Sequence, residues 1–452
     1  MRIAPLLAVL ALTACASPVD VSMARQQLLI SDTLPAMRTF PQVRATPPVR
    51  SNAEMAQDFR DLAFRMESGR TVPVMTRFDG PITVALTGLV PPTAPSDLGQ
   101  LLVRFRSEAG IDIAQISGPA SITVEFLPRE RLQAVVPAAA CFVVPRVTTF
   151  QQYRRARASS RVDWTTLTTR EQVAIFVPSD TSPQEIRDCL HEEMAQALGP
   201  LNDLYRLSDS VFNDDNFHTV LTGFDMLMLR AYYAPELHSG MTEREVAAAL
   251  PALLARLNPA GQRPGGPADN GTPRAWVDAI ETALGPRTAS LKRRDAARTA
   301  LSIATAQRWS DSRLAFSYFA LGRLSLGNEV ETAVIAFAEA ARIYRRLPGG
   351  RIHAAHVDMQ MAAFALSSGQ TAEALILTDQ AIPVVRAAEN AALLATLLMI
   401  RSEALFLLNR DTEARAARLD SLGWARYGFG TDTEVRARMS EIAVLAPVDN
   451  NG

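Results

Sequence analysis

The sixteen residues 258–273, NPAGQRPGGPADNGTP, hold four prolines and four glycines. Proline lacks an amide hydrogen and glycine loses the most entropy on ordering, so the stretch reads as a linker. The chain on its two sides differs in kind. Before the linker, short β-branched runs alternate with helical periods; after it, 274–445 is alanine-rich with a helical pattern throughout. That combination implies an α+β domain followed by an all-α domain.

Within the first part, AEMAQDFRDLAFRM predicts a helix between 51 and 72, and LGQLLVRFRSEA a second over 98–109. Strands are expected at Ile82–Leu86, Ile122–Phe126, Cys141–Val144 and Val173–Val177. The best-marked helix follows. Ser182 is a good N-cap, Pro183 fits the first turn and Glu185 completes a capping box, while Gly199-Pro200 ends the helix. Another helix is expected to begin at Thr222, with Asp225 as its capping partner.

Charge narrows the function. Lys plus Arg number 46 against 47 Asp plus Glu, for a net charge of −1, which argues against nucleic acid as a partner. Apolar residues make up 48%, enough for a sizeable core, so wholesale disorder is excluded.

The front end carries an address. In MRIAPLLAVLALTAC a single arginine precedes an apolar run too short to span a bilayer, the form of a secretory signal. Leu12-Thr13-Ala14-Cys15 resembles the lipobox of bacterial lipoproteins. The resemblance implies that Cys15 becomes the lipidated N-terminus, with several acyl chains giving stable anchoring in the cell envelope. Ala16, in place of an aspartate, points by the same resemblance to the outer membrane, facing the periplasm. An ordinary cleaved signal is the alternative.

Export also bears on the remaining thiols. With Cys15 acylated, Cys141 and Cys189 are expected to pair in an oxidising compartment, closing a loop of about 50 residues. Two separately buried thiols are the alternative.

The helix after Ser182 carries the one constellation with chemical content. His191 invites a zinc reading, but position 195 is alanine, so two-histidine spacing fails. One register on, Glu192-Glu193-x-x-Gln196-x-x-Gly199-x-x-Asn202 resembles the metzincin signature H-E-x-x-H-x-x-G-x-x-H. Residues 192 and 196 share a helix face. The resemblance implies a zincin-like fold over roughly 75–240, with Glu192, Gln196 and Asn202 in the ligand places and Glu193 as base. Phe212 stands where a Met-turn methionine belongs, and Asp225 to Tyr232 falls on the final helix.

The substitutions remove the imidazoles. One carboxylate and two amides are hard oxygen donors that suit zinc poorly, so no metal and no cofactor is expected. Without a Lewis acid, Glu193 is catalytic only if the domain works by other means. The segment is also similar to an uncharacterised proteobacterial lipoprotein family, a domain of unknown function, sharing this E-E-x-x-Q-x-x-G-x-x-N-D run and the Phe212-Asn213-Asp214 stretch. The other readings of these residues are a plain polar helix edge and an active hydrolase. His218 and His238 are expected on the surface, His191 turned away from the motif, and His353 and His356, which share a helix face, either packed or exposed.

In the second part, Ala333, Phe337 and Ala340 recur as Ala374, Thr378 and Ala381, then as Ala414, Arg418 and Ser421. Gly369 and Asn409 occupy equivalent turn positions. The pattern resembles tetratricopeptide repeats and implies a helical docking module; a non-repeating bundle is the alternative. The expected organisation is a signal peptide (1–14), a lipidated N-terminus and flexible tether (15–50), a zincin-like α+β domain (51–257), the linker (258–273), a tetratricopeptide-like domain (274–445) and a tail (446–452). The expected function is binding or scaffolding. A protein partner would sit on the repeats and a peptide in the degenerate cleft, without cutting; a metal-dependent hydrolase with unusual ligands is the alternative.

Overall fold

The β-branched runs of the first part pair into one five-stranded sheet, in the order β2-β1-β3-β5-β4. Here β1 is Ile82–Gly88, β2 Ile113–Gln115, β3 Ile122–Leu127, β4 Phe142–Pro145 and β5 Val173–Pro178. The first four in that order run parallel, and β4 pairs antiparallel with β5 at the edge, Phe142 opposite Phe176. The computed structural model describes residues 34–41, 45–137, 139–266, 269, 271–285 and 288–447. Cys15, with its expected lipid, and the tail beyond 447 lie outside the described residues.

Parallel pairing requires crossovers, and helices cover both sheet faces. Strand β5 is buried along its whole length, with its side chains dealt to two cores. Val173, Ile175 and Val177 enter the larger one; Ala174 and Phe176 enter a smaller one with Leu132, Val144 and Phe150. The larger core is closed by helices α1 (Asn52–Phe64), α2 (Ala94–Arg104), α5 (Pro183–Leu198), α6 (Gly223–Tyr232) and α7 (Glu243–Leu257). The smaller is capped by α3 (Arg129–Gln133) and α4 (Phe150–Ala156).

Helix α5 has the predicted limits, with the Ser182 side chain accepting from the Glu185 amide. The second half of the expected capping box does not form, because the Glu185 carboxylate is held by Arg129 (2.6 Å) and by Thr181. The Thr222–Asp225 box does form. The first helix stops earlier than its pattern suggests: Arg65 bridges Thr71 across a turn in which Gly69 has φ +78°. Cys141 and Cys189 are joined by a disulfide that ties α5 to the start of β4.

The second part consists of helices alone. They are α8 (Arg274–Leu284), α9 (Ser290–Ala306), α10 (Ser312–Ser325), α11 (Val330–Tyr344), α12 (Arg351–Ser367), α13 (Thr371–Ala387), α14 (Ala391–Leu407), α15 (Asp411–Gly428) and α16 (Asp432–Ala443). Neighbours pack as hairpins, α10 with α11, α12 with α13 and α14 with α15. The recurring triplets fall at the same position of α11, α13 and α15, and all but Arg418 are buried. Gly369 and Asn409, each two residues before a helix, take φ +73° and +56°, the left-handed turn that small or amide residues tolerate. Among the described residues, no helix is long and apolar enough to cross a membrane.

The two parts share a core. Phe217, on the loop after α5, is 4% exposed and packs its ring against Phe316, Phe319, Tyr344, His353 and His356. Tyr205 meets Trp276 edge-on at 4.9 Å, and the Ser312 hydroxyl donates to the Tyr205 carbonyl. Arg187 of α5 forms a buried ion pair with Glu389. The stretch expected as a free tether is docked from Leu34 to Pro41: the Arg38 amide donates to the Gly423 carbonyl and Phe40 stacks on Trp424 at 4.4 Å. The linker is also held to the body, since the Gly266 amide reaches Glu54 and the Gln57 amide reaches the Asp269 carbonyl.

Candidate functional site

Helix α5 turns its two consecutive glutamates towards a carboxyl cluster drawn from three segments. Glu67 comes from the Arg65–Thr71 turn, Glu192 and Glu193 from α5, and Asp203 and Asp214 from the loop that follows. Burial, then Asp214 and Glu67, pushes the Glu192 carboxyl up to about 7. Burial, then Glu192 and Glu67, holds Glu193 well above its ordinary range. Asp203 is raised in the same way, by burial and by Glu192, Glu67 and Asp214. Asp214, at the solvent edge, rises to about 6 through lost hydration in the cleft and through Glu67, against a lowering bond from the Tyr205 hydroxyl.

None of these five carboxyls makes an ion pair among the described residues. Oε2 of Glu193, a residue 5% exposed, has no hydrogen-bond partner, and neither has Oδ1 of Asp203. The nearby guanidiniums are engaged elsewhere: Arg206 with Asp58 and Asp61, Arg65 with Glu243, Arg274 with Asp278 and Glu281. Three of the five carboxyls, Glu67, Asp203 and Asp214, line a cleft of about 920 Å³, together with Met66, Tyr205 and Val277 among others.

The other motif positions serve the fold. The Asn202 amide donates to the Asp61 carbonyl at 3.0 Å, fastening the loop to α1. Gln196 is buried, and its carbonyl accepts from Arg170. Gly199 has φ −170°, ordinary extended backbone; it is required because a Cβ there would lie 2.8 Å from the Tyr232 ring. Phe212 is fully buried, and its carbonyl accepts from the Leu204 amide at 2.9 Å. His191 turns away from the cluster, its Nδ1 accepting from the Leu221 amide at 3.1 Å.

Zinc does not fit this donor set. Glu192 and two amides are hard oxygen donors, which suit zinc poorly. Among the described residues no group of three or more His, Cys, Asp or Glu is placed to hold a metal ion.

Two histidines depart from or extend their expected roles. His218, expected on the surface, is half-buried: its Nε2 is bonded to the Ser208 carbonyl (3.1 Å), and burial beside His353 lowers it to about 4. His353 is fully buried and meets Asp215 at 2.8 Å, so it bonds across the two parts as well as packing. His238 remains exposed.

Sequence reasoning missed Glu67, Asp203's raised environment and Arg170. The Arg170 guanidinium is buried under the Trp164 ring and donates to the carbonyls of Gln196 (2.5 Å), Ala197 (2.8 Å) and Gly199 (2.5 Å). It closes the C-terminal end of α5, where orphan carbonyls and the helix dipole favour a cation. Burial lowers its own pKa to about 10. Nothing local marks this arginine, since its partners lie more than twenty residues away in sequence.

The chain matches no curated protein and no solved structure. A family model described as "Protein of unknown function (DUF2927)" does match, over residues 52–252, the segment that carries the sheet, helix α5 and the carboxyl cluster. Residues 52–252 are a DUF2927 domain.

Proposed function

We propose that this chain is a cell-envelope lipoprotein, anchored through Cys15, that binds or scaffolds rather than cuts. Its DUF2927 domain is a zincin-like α+β domain whose ligand places hold Glu192, Gln196 and Asn202. The cleft beside α5 takes a peptide or other extended segment. The order of strand, helix, strands and motif helix supports the zincin-like reading, as do Gly199 and the downstream helix α6. The single observation that carries the non-cutting reading is the donor set itself, two amides and a carboxylate in place of three imidazoles.

The helices after residue 274 are tetratricopeptide-like, a reading supported by the equivalent buried positions in α11, α13 and α15. Their contacts with Phe217 and Tyr205 direct one face towards the chain's own first domain. A protein partner is then held elsewhere on the helices, where a groove of about 310 Å³ between α11, α12 and α13 exposes Val334, Met361 and Leu377.

The test is metal analysis of the protein purified without chelator. No stoichiometric transition metal is expected, and one zinc per chain overturns the reading. Glu193→Gln should leave partner capture from solubilised envelope intact. A specific observation favours hydrolysis as a second reading: a buried, unpartnered carboxyl with a raised pKa is the usual form of a general acid. Loss of function in Glu193→Gln with the fold preserved would decide for it.

A further inference from the structure

Five carboxyl groups gathered without a counter-charge are costly to the free protein. Like charges repel, and buried ions lose hydration. Several buried charges elsewhere in the chain are paired, as with Arg187–Glu389 and Arg104–Glu108. Glu192, Glu193 and Asp203, with Glu67 and Asp214 at the exposed edge, have no such partner. The imbalance extends to the mouth: the cleft is lined by six carboxylate residues, Asp61, Glu67, Asp203, Asp214, Asp269 and Glu281, against three arginines.

We propose that this cluster is the recognition site for a cationic side chain, a lysine or arginine presented by an extended peptide lying in the cleft. The inference rests on the peptide-binding reading above and adds the chemical class of the ligand. Oδ1 of Asp203, on the cleft wall, and Oε2 of the buried Glu193 have no partner; once ionised they accept, and an ammonium or guanidinium supplies several donors at once. The stem of such a side chain would lie against Met66, Tyr205 and Val277, which line the approach. A volume of about 920 Å³ is of the size that holds a side chain with flanking residues. A bare metal ion is a poorer match, because no three carboxyls converge on one point.

Binding would draw the cluster towards its ionised form and release protons, so affinity should rise with pH while Glu192 and Asp214 titrate. The groups facing them are Glu193, Glu67, Asp203, Asp215, Glu281 and the Tyr205 hydroxyl, with Arg65, Arg206, Arg274, Asp61 and Asp269 also on the cleft wall.

The experiment is calorimetric titration of the full chain at pH 8 with three acetylated, amidated pentapeptides. Their central residue is lysine, arginine or norleucine, flanked by alanines. The basic peptides should bind at least tenfold more tightly than the norleucine peptide. That preference should vanish in Glu192→Gln/Asp203→Asn and fall in Asp214→Asn, a rim variant less demanding on the fold. Thermal melts of both variants should match or exceed the parent, since each removes an unpaired carboxylate. Equal binding of all three peptides overturns the cationic preference while leaving a peptide cleft standing. No binding of any overturns both, and calcium chloride binding that displaces the peptides would show the cluster to be a metal site instead.

Discussion

The Nε2 of His353 lies 2.8 Å from Oδ2 of Asp215, a fully buried bond that joins helix α12 to the loop descending from α5. Two residues further along that loop, Phe217 sits among rings contributed by α10, α11 and α12. The two parts of the chain are thus built around a common interior.

Phe217→Ala should therefore destabilise the whole chain. Removing a fully packed phenylalanine costs about 3–5 kcal/mol. Urea unfolding of the parent should show one transition by circular dichroism and by tryptophan fluorescence. In the variant the midpoint should fall, with the two probes separating as the parts uncouple.

Arg170→Met leaves the carbonyls of Gln196, Ala197 and Gly199 without their shared donor. Hydrogen bonds to a charged group contribute about 1.5–3 kcal/mol each, so a net loss of about 3 kcal/mol or more is expected. Arg170→Lys should recover only part of it, because an ammonium cannot span three carbonyls with the planar fork. Hydrogen exchange should show the last turn of α5 losing protection first.

Replacing both Cys141 and Cys189 by serine frees a loop spanning a sequence separation of 48. The chain-entropy estimate puts the loss at roughly 4 kcal/mol. The melting temperature of the double variant should match that of the reduced parent, and the parent should show no free thiol at these positions.

Glu192→Gln should stabilise the protein at neutral pH. The carboxyl has its pKa raised from 4.5 to about 7 in the fold, so the folded state holds its proton where the unfolded chain does not. Its contribution is neutral below pH 4.5 and becomes destabilising as pH rises towards 7, by about 1–3 kcal/mol. His218 and His356, lowered to about 4 and about 3, act in the opposite sense and favour the fold above the ordinary histidine range. The quantity to measure is accordingly the parent-minus-variant difference in unfolding free energy between pH 4.5 and 8. A difference independent of pH would refute the assignment.

Much of the fold is legible in the chain. Helix α5 has its limits written in Ser182-Pro183 and Gly199-Pro200, and the strands in runs such as Val173–Val177, because caps and β-branching are local signals. The turn role of Gly369 and Asn409 is similarly local. Other elements are not. Strand β2 has only three residues, and α7 contains Pro251, so neither presents an undisturbed period. For the site, the register of Glu192 and Glu193 can be read directly, but their company cannot. Glu67 arrives from a turn more than a hundred residues upstream, and only the closed sheet sets it beside α5. Asn202 illustrates the converse: its spacing suggests a ligand, and only the folded chain shows its Nδ2 fastening the loop to α1.

Asp214 and Phe217 belong to one short length of backbone, one end forming the cleft's acidic edge and the other wedged between helices. Neither end is free to shift alone. Whatever tightens or loosens the grip on that ring alters the spacing of charges at the opening. The helical half is then a jaw of the same vice, and severing it would leave a different mouth rather than a simpler protein.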